Sequence, residues 1–149
     1  MSRLTAHFKG GQQTMPKMPD FDRLSPRVFT VIGKNPGPFA LTGTNTYLIG
    51  QGPQKILLDT GEGNPDYIPN LEKAMESCGC TAIDKIIITH WHFDHLGGVP
   101  SVQERFGPNI PVVSCLCSSS IVASVMRRSS LVLRRGFVST NTCRLSRKR

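Results

Sequence analysis

Lys85-Ile86-Ile87-Ile88-Thr89-His90-Trp91-His92-Phe93-Asp94-His95-Leu96-Gly97-Gly98 is where the reading of this chain begins. The first five residues form a continuous β-branched run, the pattern of a strand buried on both faces of a sheet. The next six gather three of the chain's four histidines and one carboxylate, and a glycine pair closes the loop. A lone histidine is usually a surface or core residue, but three within six positions point to a shared purpose. Zinc takes imidazole nitrogen at about 2.0–2.1 Å and carboxylate oxygen at similar range. His90 and His92 are offset by two positions, so an extended backbone points both rings the same way. Asp94 and His95 lie just beyond, where a turn can aim them at a second centre. Two metals about 3.5–4 Å apart would polarise a carbonyl or phosphoryl group and supply hydroxide near neutral pH. The candidate metal ligands are therefore His90, His92, Asp94 and His95, and the candidate cofactor is Zn2+, one ion or two. His7, the fourth histidine, reads as a surface residue.

Upstream, residues 27–32, 44–49 and 55–59 read as strands separated by turns, Lys34-Asn35-Pro36-Gly37-Pro38 and Gly50-Gln51-Gly52-Pro53. Asp59 ends the third strand and precedes Thr60-Gly61. It can hydrogen-bond to the histidine loop and orient it, a supporting role behind the ligands, or it can simply start a turn. Between residues 65 and 78, Tyr67, Ile68, Leu71, Ala74 and Met75 recur at helical spacing, with Asn64-Pro65 as the start signal and Gly79 as the stop. Downstream, residues 99–106 read as a short helix and 108–113 as the start of another strand.

Residues 1–20 form a polar, irregular lead-in, residues 21–113 one domain segment, and residues 114–149 a tail of different character. The net charge of +8 suggests nucleic acid or anionic membrane, but its distribution argues otherwise. Residues 1–113 balance ten Lys/Arg against ten Asp/Glu, while residues 114–149 hold eight Lys/Arg, nine serines and no acid. Only Phe137 offers an aromatic surface among those arginines, which weakens a nucleic-acid role. Such a tail reads as disordered. No apolar run nears the roughly 20 residues of a membrane span, and the first residues lack the apolar stretch of a secretory signal. Five cysteines, an odd number, favour a reducing compartment, so the protein reads as cytoplasmic. Cys78-Gly79-Cys80 and Cys115-Leu116-Cys117 lack the spacing of zinc pairs.

His90-Trp91-His92-Phe93-Asp94-His95 resembles the H-x-H-x-D-H signature of the metallo-β-lactamase superfamily, and Leu57-Leu58-Asp59-Thr60-Gly61 resembles its first motif. Asn35-Pro36-Gly37-Pro38-Phe39 and Leu41-Thr42-Gly43-Thr44-Asn45-Thr46-Tyr47-Leu48 are similar to one branch, which holds β-lactamase-like endoribonucleases and fungal thioesterases that release atrochrysone carboxylic acid from an acyl carrier protein. Gly10-Gly11-Gln12-Gln13 with Leu24-Ser25-Pro26-Arg27-Val28 looks more like the thioesterases.

The resemblance runs from about residue 8 to 113. It implies an α+β fold, the αβ/βα sandwich, of which residues 21–113 would be the N-terminal half. It also implies zinc on His90, His92, Asp94 and His95, with Asp94 as proton donor and acceptor, and hydrolysis of a polyketide thioester carried by an acyl carrier protein. Family members add a histidine to each metal and a bridging acid from their second half, whereas no histidine follows His95 here and no acid follows Glu104. The implied function is thus a zinc-dependent thioesterase of polyketide biosynthesis, lacking part of its ligand set. The alternatives are an endoribonuclease, or a non-catalytic product whose basic tail binds acidic partners. A half sandwich leaves a sheet face open, which would allow a homodimer.

Overall fold

A computed structural model describes residues 18–114 of the chain. Six strands form one mixed sheet in sequence order: β1 (Phe21–Ser25), β2 (Val28–Ile32), β3 (Asn45–Ile49), β4 (Gln54–Leu58), β5 (Ala82–Ile88) and β6 (Val112–Ser114). β1 to β4 pair antiparallel, whereas β4–β5 and β5–β6 are parallel. Parallel neighbours need a crossover. Helix α1 (Tyr67–Ser77) supplies the first, and α2 (Phe93–Leu96) with α3 (Val99–Phe106) the second.

The period of two sorts each strand into a helix-facing and an outer row. Phe29, Val31, Leu48, Leu57, Ile86 and Ile88 meet Tyr67, Leu71, Ala74 and Met75 of α1, Leu96 of α2, and Val99 and Val102 of α3 in one buried cluster. The Tyr67 hydroxyl bonds the Thr46 hydroxyl at 2.7 Å, so the one polar group on that ring is satisfied where burial pushes its pKa well up. Lys55 is buried too, its Nζ donating to the carbonyls of Gly50 and Gly52.

The strands expected at 27–32, 44–49 and 55–59, the helix at 99–106 and the strand after 108 all form, with ends shifted by a few residues. Four expectations need correction or adjustment. A strand, β1, forms at Phe21–Ser25, where Asp22 and Arg23 hid its pattern: an edge strand needs little apolar surface. Asn64-Pro65 leads into α1, with Asn64 Oδ1 accepting from the Asp66 amide at 2.9 Å as a helix-start side chain does, but the regular helix begins two residues after Pro65, at Tyr67. β5 is not buried on both faces; Ile86 and Ile88 are, but Lys85 and Ile87 are only half-buried on the outer side. The segment after it is not all loop, since residues 93–96 make one helical turn. Gly79 does stop α1, at φ 63°, where the amide of Cys80 reaches back to the Met75 carbonyl.

The outer row of Val28, Tyr47, Ile49, Ile56, Leu58 and Ile87 is half-buried and apolar, and Val113 on β6 is exposed. The described residues hold one sheet, and the expected tail lies outside them from residue 115 on. Among the described residues no helix is long and apolar enough to cross a membrane.

Candidate metal centre

β4 and β5 are parallel, so their carboxyl ends open on the same side, and the five residues singled out in the sequence meet there. Asp59 follows β4 directly, with only 3% of its surface exposed. His90 and His92 follow β5, and Asp94 and His95 stand on α2. Asp59 joins the two segments. Its Oδ1 accepts from the Thr89 amide at 2.8 Å, and its Oδ2 from the Thr89 hydroxyl and from His95 Nδ1, both at 2.8 Å.

This network constrains where protons sit. Asp59 Oδ2 faces His95 Nδ1, so a neutral His95 with its proton on Nδ1 keeps Nε2 for a metal. Thr89 has one hydroxyl proton, already given to Asp59, so toward His90 Nδ1 at 2.9 Å it can only accept. His90 is thereby also protonated on Nδ1, with Nε2 free to bind. One buried aspartate sets the tautomer of both rings, one directly and one through a threonine.

The remaining donors fall into two pairs. His90 Nε2 lies 3.0 Å from His92 Nδ1, and His95 Nε2 lies 3.4 Å from Asp94 Oδ2. Two ligands of a tetrahedral zinc with bonds of about 2.0–2.1 Å stand about 3.3 Å apart, so each pair matches one edge of such a shell. Among the described residues no three His, Cys, Asp or Glu side chains converge as the cage of one ion. The donor set therefore fits zinc as two half-shells of two ligands, not as a complete site.

Asp94 has a further partner that sequence reasoning missed. Thr44 Oγ1 donates to its Oδ2 at 2.9 Å, and Asn35 Nδ2 donates to Thr44 Oγ1 at 3.0 Å. Both residues lie in motifs quoted above, but nothing in the sequence pairs position 44 with position 94. Around the site, Trp91 and Phe93 are more than half exposed, and Phe39 in the β2–β3 loop is 99% exposed. Cys78 and Cys80 sit at the far end of α1 as free thiols; Cys80 is buried, which pushes its thiol pKa up, and it bonds the Ala82 carbonyl. His7, Cys115, Cys117 and Cys143 lie outside the described residues.

Comparison with known proteins identifies the family. The sequence model of the metallo-beta-lactamase superfamily matches residues 40–114, which hold the whole histidine loop and Asp59. A lactamase-like protein of Pestalotiopsis microspora is 47% identical over 92 residues, 62% of this chain and 28% of that protein. An atrochrysone carboxyl ACP thioesterase of Cryptosporiopsis sp. is 42% identical over 100 residues, 67% of this chain and 31% of that one. The metallo-beta-lactamase from Pontibacter korlensis shares the fold, with a TM-score of 0.52 at 22% identity, over 75% of this chain and 48% of that one. The chain belongs to the metallo-beta-lactamase superfamily, a family of hydrolases, and spans about a third of the length of the curated relatives it matches.

Proposed function

We propose that this chain contributes zinc-binding machinery to a hydrolase that cleaves the thioester between a polyketide acyl chain and an acyl carrier protein. The observation that carries the metal part is the pairing of donors, His90 with His92 and Asp94 with His95, on a loop whose tautomers Asp59 sets. The substrate part is supported by relatives named atrochrysone carboxyl ACP thioesterase, at 42% and 45% identity.

His90 and His92 would hold one ion, Asp94 and His95 a second. The metal, when bound, supplies Lewis-acid polarisation of the carbonyl and an activated water. The protein's own part is to present neutral imidazole nitrogens, which the Asp59–Thr89 network secures, and to handle the proton. Asp94 would take a proton as water adds to the carbonyl carbon. It would return that proton to the sulfur as the C–S bond breaks, leaving a free acid and the thiol of the carrier arm. Oδ1 of Asp94 has no partner among the described residues, so one oxygen stays available while Oδ2 is held.

The test is hydrolysis of an acyl thioester on a carrier protein by the purified 149-residue chain with zinc, followed by release of free thiol. Metal-dependent release that disappears on chelation supports the reading. Cleavage of RNA but not of the thioester would replace it with the endoribonuclease alternative.

A further inference from the structure

We propose that Asn35 and Thr44 are positioning residues for Asp94, a buried relay that holds its carboxylate in place for the metal by donating to Oδ2, the oxygen that stands beside His95 Nε2. This rests on the metal-dependent reading above. The argument is one of hydrogen-bond polarity. The Thr44 amide donates to Asn35 Oδ1 at 2.8 Å. That contact fixes the orientation of the Asn35 amide, because a backbone N–H must meet an oxygen. Nδ2 then faces Thr44 Oγ1, at 3.0 Å, and must donate to it. With its oxygen engaged as acceptor, the single hydroxyl proton of Thr44 points elsewhere, and the group within reach is Asp94 Oδ2 at 2.9 Å. The direction of every bond in the relay follows from one backbone amide.

The burial argues against a chance surface contact. Asn35 is 6% and Thr44 5% exposed, so each polar group needs its partner, and each has one. Loop closure alone does not require the hydroxyl. The β2–β3 connection is already fastened by the Gly33 amide on the Thr44 carbonyl and the Thr44 amide on Asn35 Oδ1, both at 2.8 Å. The hydroxyl serves Asp94. It arrives from a different part of the sheet than Asp59, so the candidate ligands have two separate supports: Asp59 for the imidazoles of His90 and His95, and Asn35–Thr44 for the Asp94 carboxylate.

The experiment titrates zinc into the metal-free 149-residue chain by calorimetry, with the thermal transition of each variant read in parallel. Thr44→Val keeps the shape and both backbone contacts but removes the hydroxyl; zinc affinity is expected to fall 10–100-fold, as for other groups that orient a ligand. Thr44→Ser restores the hydroxyl and is expected to bind close to the unsubstituted protein. Asn35→Asp keeps the acceptor for the Thr44 amide but replaces the Nδ2 donor with an acceptor, drawing the Thr44 proton away from Asp94. It is expected to weaken zinc in the same direction, and it carries the test if Thr44→Val does not fold. Affinity unchanged in Thr44→Val and Asn35→Asp, while Asp94→Ala loses zinc, would overturn the relay and leave the metal site standing. No zinc bound by the unsubstituted chain would overturn the site and the relay together.

Discussion

At Asp59 the backbone turns to φ 58°, a left-handed conformation that costs a residue other than glycine about 1–2 kcal/mol, less for the short polar side chains that tolerate it best. What that turn accomplishes is visible in the side chain, which reaches the Thr89 amide, the Thr89 hydroxyl and His95 from one position. Residues that would touch the metal and residues that only orient it should then separate in experiment. His92→Ala and Asp94→Ala each remove one of two donors from a half-shell, and both are expected to abolish thioester hydrolysis. Activity within threefold of the unsubstituted chain in either variant would refute the ligand assignment. Asp59→Asn leaves every proposed ligand in place but loses an acceptor for one of three donors, and a milder loss of 10–100-fold is expected. A loss as complete as that of His92→Ala would place Asp59 among the ligands. The count of donors makes a second prediction. A catalytic zinc ordinarily has three protein ligands plus water, whereas each pair here offers two and residues 105–149 hold no histidine, aspartate or glutamate. Weak binding of a single ion is expected on dialysis against a mild chelator, and two ions retained per chain by elemental analysis would contradict it.

Between the elements, the loop after β4 and the turn before α3 approach so closely that only glycine fits. A Cβ on Gly98 would stand 2.1 Å from the Thr60 carbonyl oxygen, and one on Gly97 2.7 Å from that of Glu62. Thr60 adds two bonds to the His95 carbonyl, from its amide at 2.8 Å and its hydroxyl at 3.0 Å. The atoms in the way are backbone, which cannot swing aside, so Gly98→Ala must push the histidine turn off the Asp59 loop. A stability loss of about 1–3 kcal/mol, the usual range for overpacking, is expected by urea denaturation, together with weakened zinc binding. An unchanged midpoint would show that the two loops slide apart freely.

The same clamp shows what was legible in the sequence. Gly97-Gly98 read as the end of a loop, and the β-branched runs and helical spacing gave β2 to β5, α1 and α3, because those signals are local. The candidate metal ligands could be named because all four fall within six residues. Thr44 and Asn35 were not, since their meeting with Asp94 depends on how the sheet brings positions 35, 44 and 94 together. β1 was missed for a related reason: Phe21 and Val31 pair across the sheet edge, and a charged edge strand carries no pattern of its own.

For the molecule as a whole, the unequal treatment of the two sheet faces matters most. One face is closed by α1, α2 and α3; the other presents the half-buried Val28, Tyr47, Ile49, Ile56, Leu58 and Ile87 and the exposed Val113. Completing the burial of a half-covered Ile or Leu gains about 1 kcal/mol, so a row of this kind is a strong drive to find cover. The chemistry of residues 115–149 makes them a poor cover. Their apolar runs are short, and Arg127, Arg128, Arg134 and Arg135 interrupt them with charges that must stay in water. A second copy has no such obstacle, because the same apolar row meets itself across a two-fold axis. The 149-residue chain is therefore expected to self-associate, as a dimer or larger species, in sedimentation equilibrium. Leu58→Lys, on the outer row and opposite the core face, is expected to shift it toward monomer while leaving the helix-side core intact, read as an unchanged far-ultraviolet circular dichroism spectrum. A monomer with a sharp, reversible thermal transition at all concentrations would sink this account, and it would show that the row is covered within a single chain.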